Sequence, residues 1–373
     1  MTATPSALAR ATLRRQCNRF VPGHPAPRPR TELHAIADWM HTHDYDIDNY
    51  GTGKLIADFE SKVASLLGKP AAVFMPSGKM ATLIALRIWA DRAHNADFGL
   101  HRTAHLELHE EHAYSKLHGL RAQFIGRPDE AVTAKDFKRF DKPLSSIVIE
   151  LPMREIGGKL PPWDDLVKQR EIASSRGTRL HLDGARLWEA LAFYEGKNHA
   201  DIAALFDSVY VSFYKGIGGI AGAMLLGDEA FITAARVWLT RHGGTIYQQY
   251  PIVASIAMRF DERLARMPAY YQRALGFARA LNKSLPDVSV TPVVPQTNMM
   301  HLAFEVPVQK WEAARDHLAA GDRIWLGGPR NLADKTVTEV EIYVGEGLMD
   351  MSDDEALAAY AKLLKFADQG NGA

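Results

Sequence analysis

Short, nearly unbroken apolar runs recur along this chain at intervals long enough to hold a helix, and that alternation restricts the fold more than any other feature. Ala71–Met75, Ser146–Leu151, Arg179–Leu182, Ser208–Phe213 and Ala221–Leu226 read as strands. Helical spacing fills segments between them, at Met80–Trp89, Trp163–Arg176 and Arg186–Phe193. A strand buried on both faces needs no polar alternation, and strands that alternate with helices pair mainly in parallel beneath a helical cover. The expectation is therefore an α/β fold with a mainly parallel sheet covered by helices on both faces. Before the first strand, residues 31–41 and the series Leu55, Phe59, Val63, Leu66, Leu67 also read as helical. A long helical region spans roughly 228–284. Strands at His301–Glu305 and Glu339–Val344, with helices at Val308–Ala319 and near Asp353–Phe366, suggest a smaller C-terminal α+β domain. Five prolines precede residue 30, so residues 1–30 read as an arm outside the core.

Composition narrows the partners. The 373 residues carry a formal net charge of zero, so neither nucleic acid nor a membrane surface is favoured. No apolar run approaches the roughly 18–20 residues that span a bilayer. Arg10, Arg14 and Arg15 have no apolar signal core behind them, and Cys17 is the only cysteine. A disulfide within the chain is excluded, and a cytoplasmic location is expected.

The chemistry concentrates at two places. His181-Leu182-Asp183-Gly184-Ala185-Arg186 closes one apolar strand, and Lys215 follows the next in Ser212-Phe213-Tyr214-Lys215-Gly216. An acid at a strand end and an amine in a glycine-rich turn are what a pyridoxal phosphate (PLP) site requires. The amine joins the cofactor aldehyde, and the acid keeps the pyridine nitrogen protonated so that the ring accepts electrons. Plainer readings exist: Lys215 as a turn lysine, Asp183 as a helix cap, Arg186 in a surface ion pair. Arg186 could instead grip a carboxylate with two parallel hydrogen bonds.

Further residues fit the same site. Ser212 is placed for its hydroxyl to reach the cofactor phosphate, or to bond backbone. Ser77-Gly78-Lys79 lies between a strand and a helix start, where backbone N–H groups seat a phosphate. It is not a nucleotide-binding P-loop, because Val73 and Met80 stand where that motif needs Gly and Ser or Thr. His105-Leu106-Glu107-Leu108-His109-Glu110-Glu111-His112 admits three readings: a histidine stacked on a cofactor ring, a solvated face, or a metal site lacking a fourth ligand. Alternation in 104–109 suits a strand with His105 at a sheet edge.

Taken together, these segments resemble the PLP-dependent threonine aldolase/β-eliminating lyase family, of fold type I (aspartate aminotransferase-like). The resemblance is carried by Asp48-Asn49-Tyr50-Gly51, Phe74 to Ala81, Gly157-Gly158-Lys159-Leu160-Pro161, the His181–Arg186 motif, Tyr214 to Gly218 and Thr297-Asn298-Met299. It implies Lys215 as the Schiff-base lysine, Asp183 on the pyridine nitrogen and His105 stacked on the ring. Ser77, Gly78 and Lys79 would hold phosphate, and Arg186 would contact a carboxylate or oxygen of substrate or cofactor. It also implies a homodimer or homotetramer with shared active sites. On this reading the chain divides into an N-terminal arm and helix (1–44), a large PLP-binding domain (45–265) and a small domain (266–373).

The departures are specific. The family's second active-site histidine, just before the Gly-Lys-x-Leu-Pro turn, is replaced by the stretch Glu150 to Glu155. A phosphate arginine is missing from Gly243-Gly244-Thr245-Ile246-Tyr247-Gln248 unless Arg241 substitutes. The C-terminal element that supplies an arginine for the substrate carboxylate reads Glu341-Ile342-Tyr343-Val344-Gly345, leaving Arg154, Arg323 or Arg330 as replacements alongside Arg186. The expected activity is cleavage of the Cα–Cβ bond of a small β-hydroxy amino acid, giving glycine and an aldehyde. β-Elimination to pyruvate and ammonia, or a non-catalytic PLP-fold binding protein, are the alternatives.

Overall fold

The computed structural model describes residues 7–138 and 143–369. Its strands are β1 (Arg19–Phe20), β2 (Ala71–Met75), β3 (Asp97–His101), β4 (Arg121–Ile125), β5 (Ser146–Glu150) and β6 (Arg179–Gly184). They continue as β7 (Ser208–Ser212), β8 (Ala223–Gly227), β9 (Val288–Thr291), β10 (Met299–Phe304), β11 (Ile324–Trp325) and β12 (Thr338–Tyr343). The chain divides into two compact units: Pro27–Arg266, and the residues up to Ala26 together with those from Met267 on.

In the larger unit seven strands lie in the order β2-β8-β7-β6-β5-β3-β4. β8 runs antiparallel to both its neighbours, so β2 and the other five strands all point the same way. Every residue of β5, β7 and β8 is buried, which is why their sequences read as continuous apolar runs. On one face the helices Gly78–Ala93 and Glu229–Arg241 contribute Ile84, Trp89, Phe231 and Leu239 to a core with Val73, Tyr210 and Leu225. A second aromatic cluster joins Phe213, at the end of β7, to Phe59, Trp188 and Phe260. The α/β class expected from the alternation is the architecture observed.

Three readings change. β3 and β4 were not expected: Asp97-Phe98-Gly99-Leu100-His101 is interrupted by glycine, and β4 is an edge strand with a mixed burial pattern. His105–Leu108 forms a short helix instead of a strand, with Leu106 buried and Leu108 exposed, so the two leucines do not share a buried face. The long helical region is two helices, Glu229–Arg241 and Tyr250–Ser284, separated by a turn containing Gly243 at φ +70°.

The smaller unit holds an antiparallel sheet in the order β12-β10-β9 and a two-stranded pair, β1 with β11. The first six residues of the expected arm lie outside the described residues. The rest is not loose: a helix at Ala7–Gln16 leads into β1, and Cys17 and Phe20 pack with Ala319 and Trp325. Leu13, Cys17 and Phe20 provide one apolar side, and burying it outweighs the proline content nearby.

Candidate functional site

All six co-directional strands end at one sheet edge, and the loops leaving β2, β3, β5, β6 and β7 bring the expected residues to it. Ligands of open α/β sheets bind at that edge. Asp183 is the penultimate residue of β6, buried, and lies in register with Glu150 of β5 and Tyr210 of β7. Its Oδ1 accepts the Ala185 N–H at 3.1 Å, the only hydrogen bond of its carboxylate among the described residues. Burial pushes its carboxyl above the usual range, against the pull of Lys215. Glu150 is raised likewise, by burial and then by the charge of Asp183, although its Oε1 accepts the His105 N–H.

Lys215 sits in the turn between β7 and β8. That turn is closed by Phe213 N–H to Gly222 O (3.1 Å) and Gly219 N–H to Phe213 O (2.8 Å). Gly222 adopts φ +103°, and a Cβ there would run into the Phe74 ring, so the turn requires glycine. Among the described residues the Lys215 amine makes no hydrogen bond or ion pair; the Tyr214 ring lies 5.7 Å away. Burial, and then the Arg186 guanidinium, lower its pKa to about 8, while Asp183, Glu189 and Glu150 pull upward. Lys215 and Asp183 thus feel each other's charge, as one shared site requires.

Arg186 precedes the short helix Leu187–Ala190 and acts electrostatically on both Lys215 and Glu189. Glu189 is buried, and burial raises its carboxyl against the pull of Arg186 and the nearby backbone N–H groups of Glu189 and Gly216. Ser77 caps the sixteen-residue helix Gly78–Ala93, its Oγ accepting the Met80 N–H at 3.4 Å. Gly78 begins that helix, and a Cβ there would collide with the Tyr210 hydroxyl. Tyr210 is held protonated by burial and by Asp183, and its hydroxyl bonds that of Tyr214. Lys79 is exposed, its amine donating to the His109 carbonyl at 3.0 Å.

Two further residues are tied up by protein partners. The Ser212 hydroxyl donates to the Ala185 carbonyl at 2.6 Å, which ties β7 to the residue after β6 and spends the hydroxyl's one proton. Arg330 belongs to the smaller unit, where it pairs with Glu339 and lies 2.9 Å from His301 Nδ1.

The histidine-rich segment is organised by carboxylates. His105 Nδ1 lies 2.8 Å from Glu110 Oε1, and its charge acts on Asp183. His109 lies beside it, ring centroids 5.0 Å apart, with its Nε2 2.9 Å from Glu155 Oε1. Arg154 Nη1 donates to the same Glu155 oxygen at 2.6 Å. His112 faces Glu107 at 3.7 Å. Among the described residues no group of three or more His, Cys, Asp or Glu could hold a metal ion.

Glu150, Tyr210, Glu110, Glu189 and Glu155 were not singled out from sequence as site residues. Glu150 had a readable signal, since it ends an apolar run just as Asp183 does. The others are brought in by tertiary contacts that no local pattern announces.

Fold and site together define an α/β protein whose sheet edge gathers a desolvated, unpartnered amine and several buried carboxylates. The β-eliminating lyase family model matches residues 32–305, and the chain belongs to that family. A candidate L-allo-threonine aldolase from Listeria monocytogenes is 38% identical over 95% of this chain and 98% of that one, with TM-score 0.87. A candidate aromatic amino acid β-eliminating lyase/threonine aldolase from Exiguobacterium is 37% identical, covering 95% and 99% of the two chains, also at TM-score 0.87. The low-specificity L-threonine aldolase 1 of Arabidopsis thaliana is 27% identical over 281 residues, 73% of this chain and 78% of that protein. The fold is that of the type I PLP-dependent enzymes, as expected from the motifs.

Proposed function

We propose that this protein is a PLP-dependent lyase that cleaves the Cα–Cβ bond of a small β-hydroxy amino acid, releasing glycine and an aldehyde. One observation carries the reading: an amine lowered to about 8, with no partner among the described residues, feels the charge of a buried carboxylate that accepts only one hydrogen bond. The donor set fits the cofactor. Asp183 has an oxygen left for a ring N–H, and a cationic ring nitrogen relieves the cost of burying that carboxylate beside Glu150. Aldolase relatives in plants and bacteria support the reaction type.

PLP, when bound, supplies an electron sink for the pair left on Cα. Lys215 would hold it covalently, and at pH 7–8 a fraction of the amine is already unprotonated and nucleophilic. Asp183 would keep the proton on the ring nitrogen. His105, its imidazole fixed by Glu110, would be the residue to stack on the ring. Ser77 and Gly78 offer phosphate the N-terminus of a long helix. Arg186 and Arg154 are the cations in this unit suited to the substrate carboxylate, whose grip decides which bond stands perpendicular to the ring. Arg330, tied to Glu339 and His301, is the weakest of the three. The substrate is a free amino acid. The assembly in this reading is a homodimer or homotetramer, for which exposed Tyr50, Ile246 and Tyr247 offer an apolar surface.

The test is direct. The purified protein with PLP shows absorbance near ~420 nm that Lys215→Ala abolishes, and it releases aldehyde from L-threonine or L-allo-threonine. Pyruvate and ammonia from serine or cysteine derivatives, with no aldehyde from any β-hydroxy amino acid, would replace aldol cleavage with β-elimination. No band with added PLP would leave only a binding protein.

A further inference from the structure

We infer that His109, held by Glu155, is the base that takes the β-hydroxyl proton during Cα–Cβ cleavage; the assignment rests on the aldolase reading above. Such a cleavage needs a proton acceptor facing the side chain of the substrate. Two imidazoles stand together at this edge, His105 and His109, with ring centroids 5.0 Å apart and planes at 49°. Their surroundings divide the work. His105 is fixed from two sides, its backbone N–H on Glu150 and its Nδ1 on the buried carboxylate of Glu110, and its charge acts on Asp183.

His109 is the more open ring. Its side chain is 40% exposed, whereas that of Glu155 is 10% exposed. Nε2 lies 2.9 Å from Glu155 Oε1, and Nδ1 makes no hydrogen bond among the described residues. A carboxylate on one nitrogen keeps the proton there, stabilises the imidazolium once formed and leaves the other nitrogen as acceptor. Arg154 donates to the same oxygen and sets the carboxylate's orientation. Glu155 also lies in the stretch where the family resemblance leads one to expect a histidine. The imidazole absent there is returned by the fold from 46 residues upstream.

The step balances. The β-oxygen proton passes to His109 Nδ1, and an oxygen pair becomes the second bond of the aldehyde. The Cα–Cβ bond breaks with its electrons left on Cα, where a proton is then taken up to give glycine. His109 returns its proton to solvent.

The experiment uses the cofactor-loaded enzyme and two readouts: aldehyde release from L-threonine and L-allo-threonine, and α-hydrogen exchange of glycine in D2O, which needs no β-oxygen base. In His109→Asn, aldehyde release falls roughly 10²–10⁴-fold while glycine exchange stays within about threefold. Glu155→Gln loses less, because its amide oxygen still accepts from Nε2, and free imidazole restores part of the activity of His109→Ala. Aldehyde release close to wild type in His109→Asn overturns the assignment. So does parallel loss of both readouts, which marks a structural role, or selective loss in His105→Phe while His109→Asn stays active. A wild-type enzyme that exchanges glycine but cleaves no β-hydroxy amino acid sinks the aldolase reading itself, and the assignment with it.

Discussion

Two aspartates stand at opposite ends of strand β6, Asp183 within it and Asp207 beside its start, just before β7, and the two have been given opposite surroundings. At its start, Asp207 accepts the Leu180 N–H at 2.8 Å, Arg170 at 2.6 Å and Arg179 at 2.9 Å. Burial pushes its carboxyl upward, but Arg170, the Leu180 N–H and Arg179 outweigh that and hold it below the usual range. At its other end the Asp183 carboxylate has one hydrogen bond, and burial leaves it above that range. The residue type is the same and both carboxylates lie against β6, so pairing makes the difference. A buried charge given its full set of partners serves the fold, and one left short of partners is poised for a ligand.

Neutralising each aspartate in turn should separate the two roles. Asp183→Asn keeps the shape and removes the charge proposed to hold the ring proton; kcat/KM is expected to fall roughly 10²–10⁴-fold, with little loss of stability in the cofactor-free protein. Asp207→Asn leaves two arginines short of their anion, and denaturant titration should register a loss of about 2–4 kcal/mol while kcat changes less than about twofold. Equal effects of both variants on stability would erase the distinction between the two ends.

The end proposed for the chemistry was the more legible in sequence. Asp183 and Lys215 are unusual residues closing apolar runs, so their types and positions speak directly. Asp207 precedes its strand with nothing local to tie it to Arg170, 37 residues earlier. The same limit hid the pairing of Glu155 with His109, and the meeting of Glu150 with Asp183, which comes only through the parallel register of β5 and β6. Side-chain aim was equally illegible: Ser212 admitted a phosphate contact or a backbone bond, and only the structure shows its hydroxyl turned to the Ala185 carbonyl. Periodicity failed where burial is uneven, as at the edge strand β4 and in the helix His105–Leu108. It succeeded at β5, β7 and β8, which are buried throughout.

The contrast within the sheet extends to protons. His181, in the interior of β6, is buried with Nδ1 2.8 Å from Ser208 Oγ, and burial depresses its pKa to about 3; His199 falls to about 4 for the same reason. Between about pH 4 and the ordinary histidine range the unfolded chain binds protons that these folded imidazoles refuse, so each makes stability fall as the solution is acidified. Glu150 acts in the opposite sense. Its folded carboxyl holds a proton above the pH at which the unfolded group has lost it, so its stabilising share is complete at low pH and is lost as pH rises through the folded value. In the cofactor-free protein at pH 5–6.5 the two kinds of group therefore offset one another. Glu150→Gln, whose amide oxygen still accepts from His105, should steepen the acid-side slope of unfolding free energy by up to about 1.4 kcal/mol per pH unit. His181→Asn should flatten it by a similar amount. Slopes that move in the same direction in both variants would show that the site carboxylate does not hold its proton, and that the chemical end of the sheet is no more strained than the structural one.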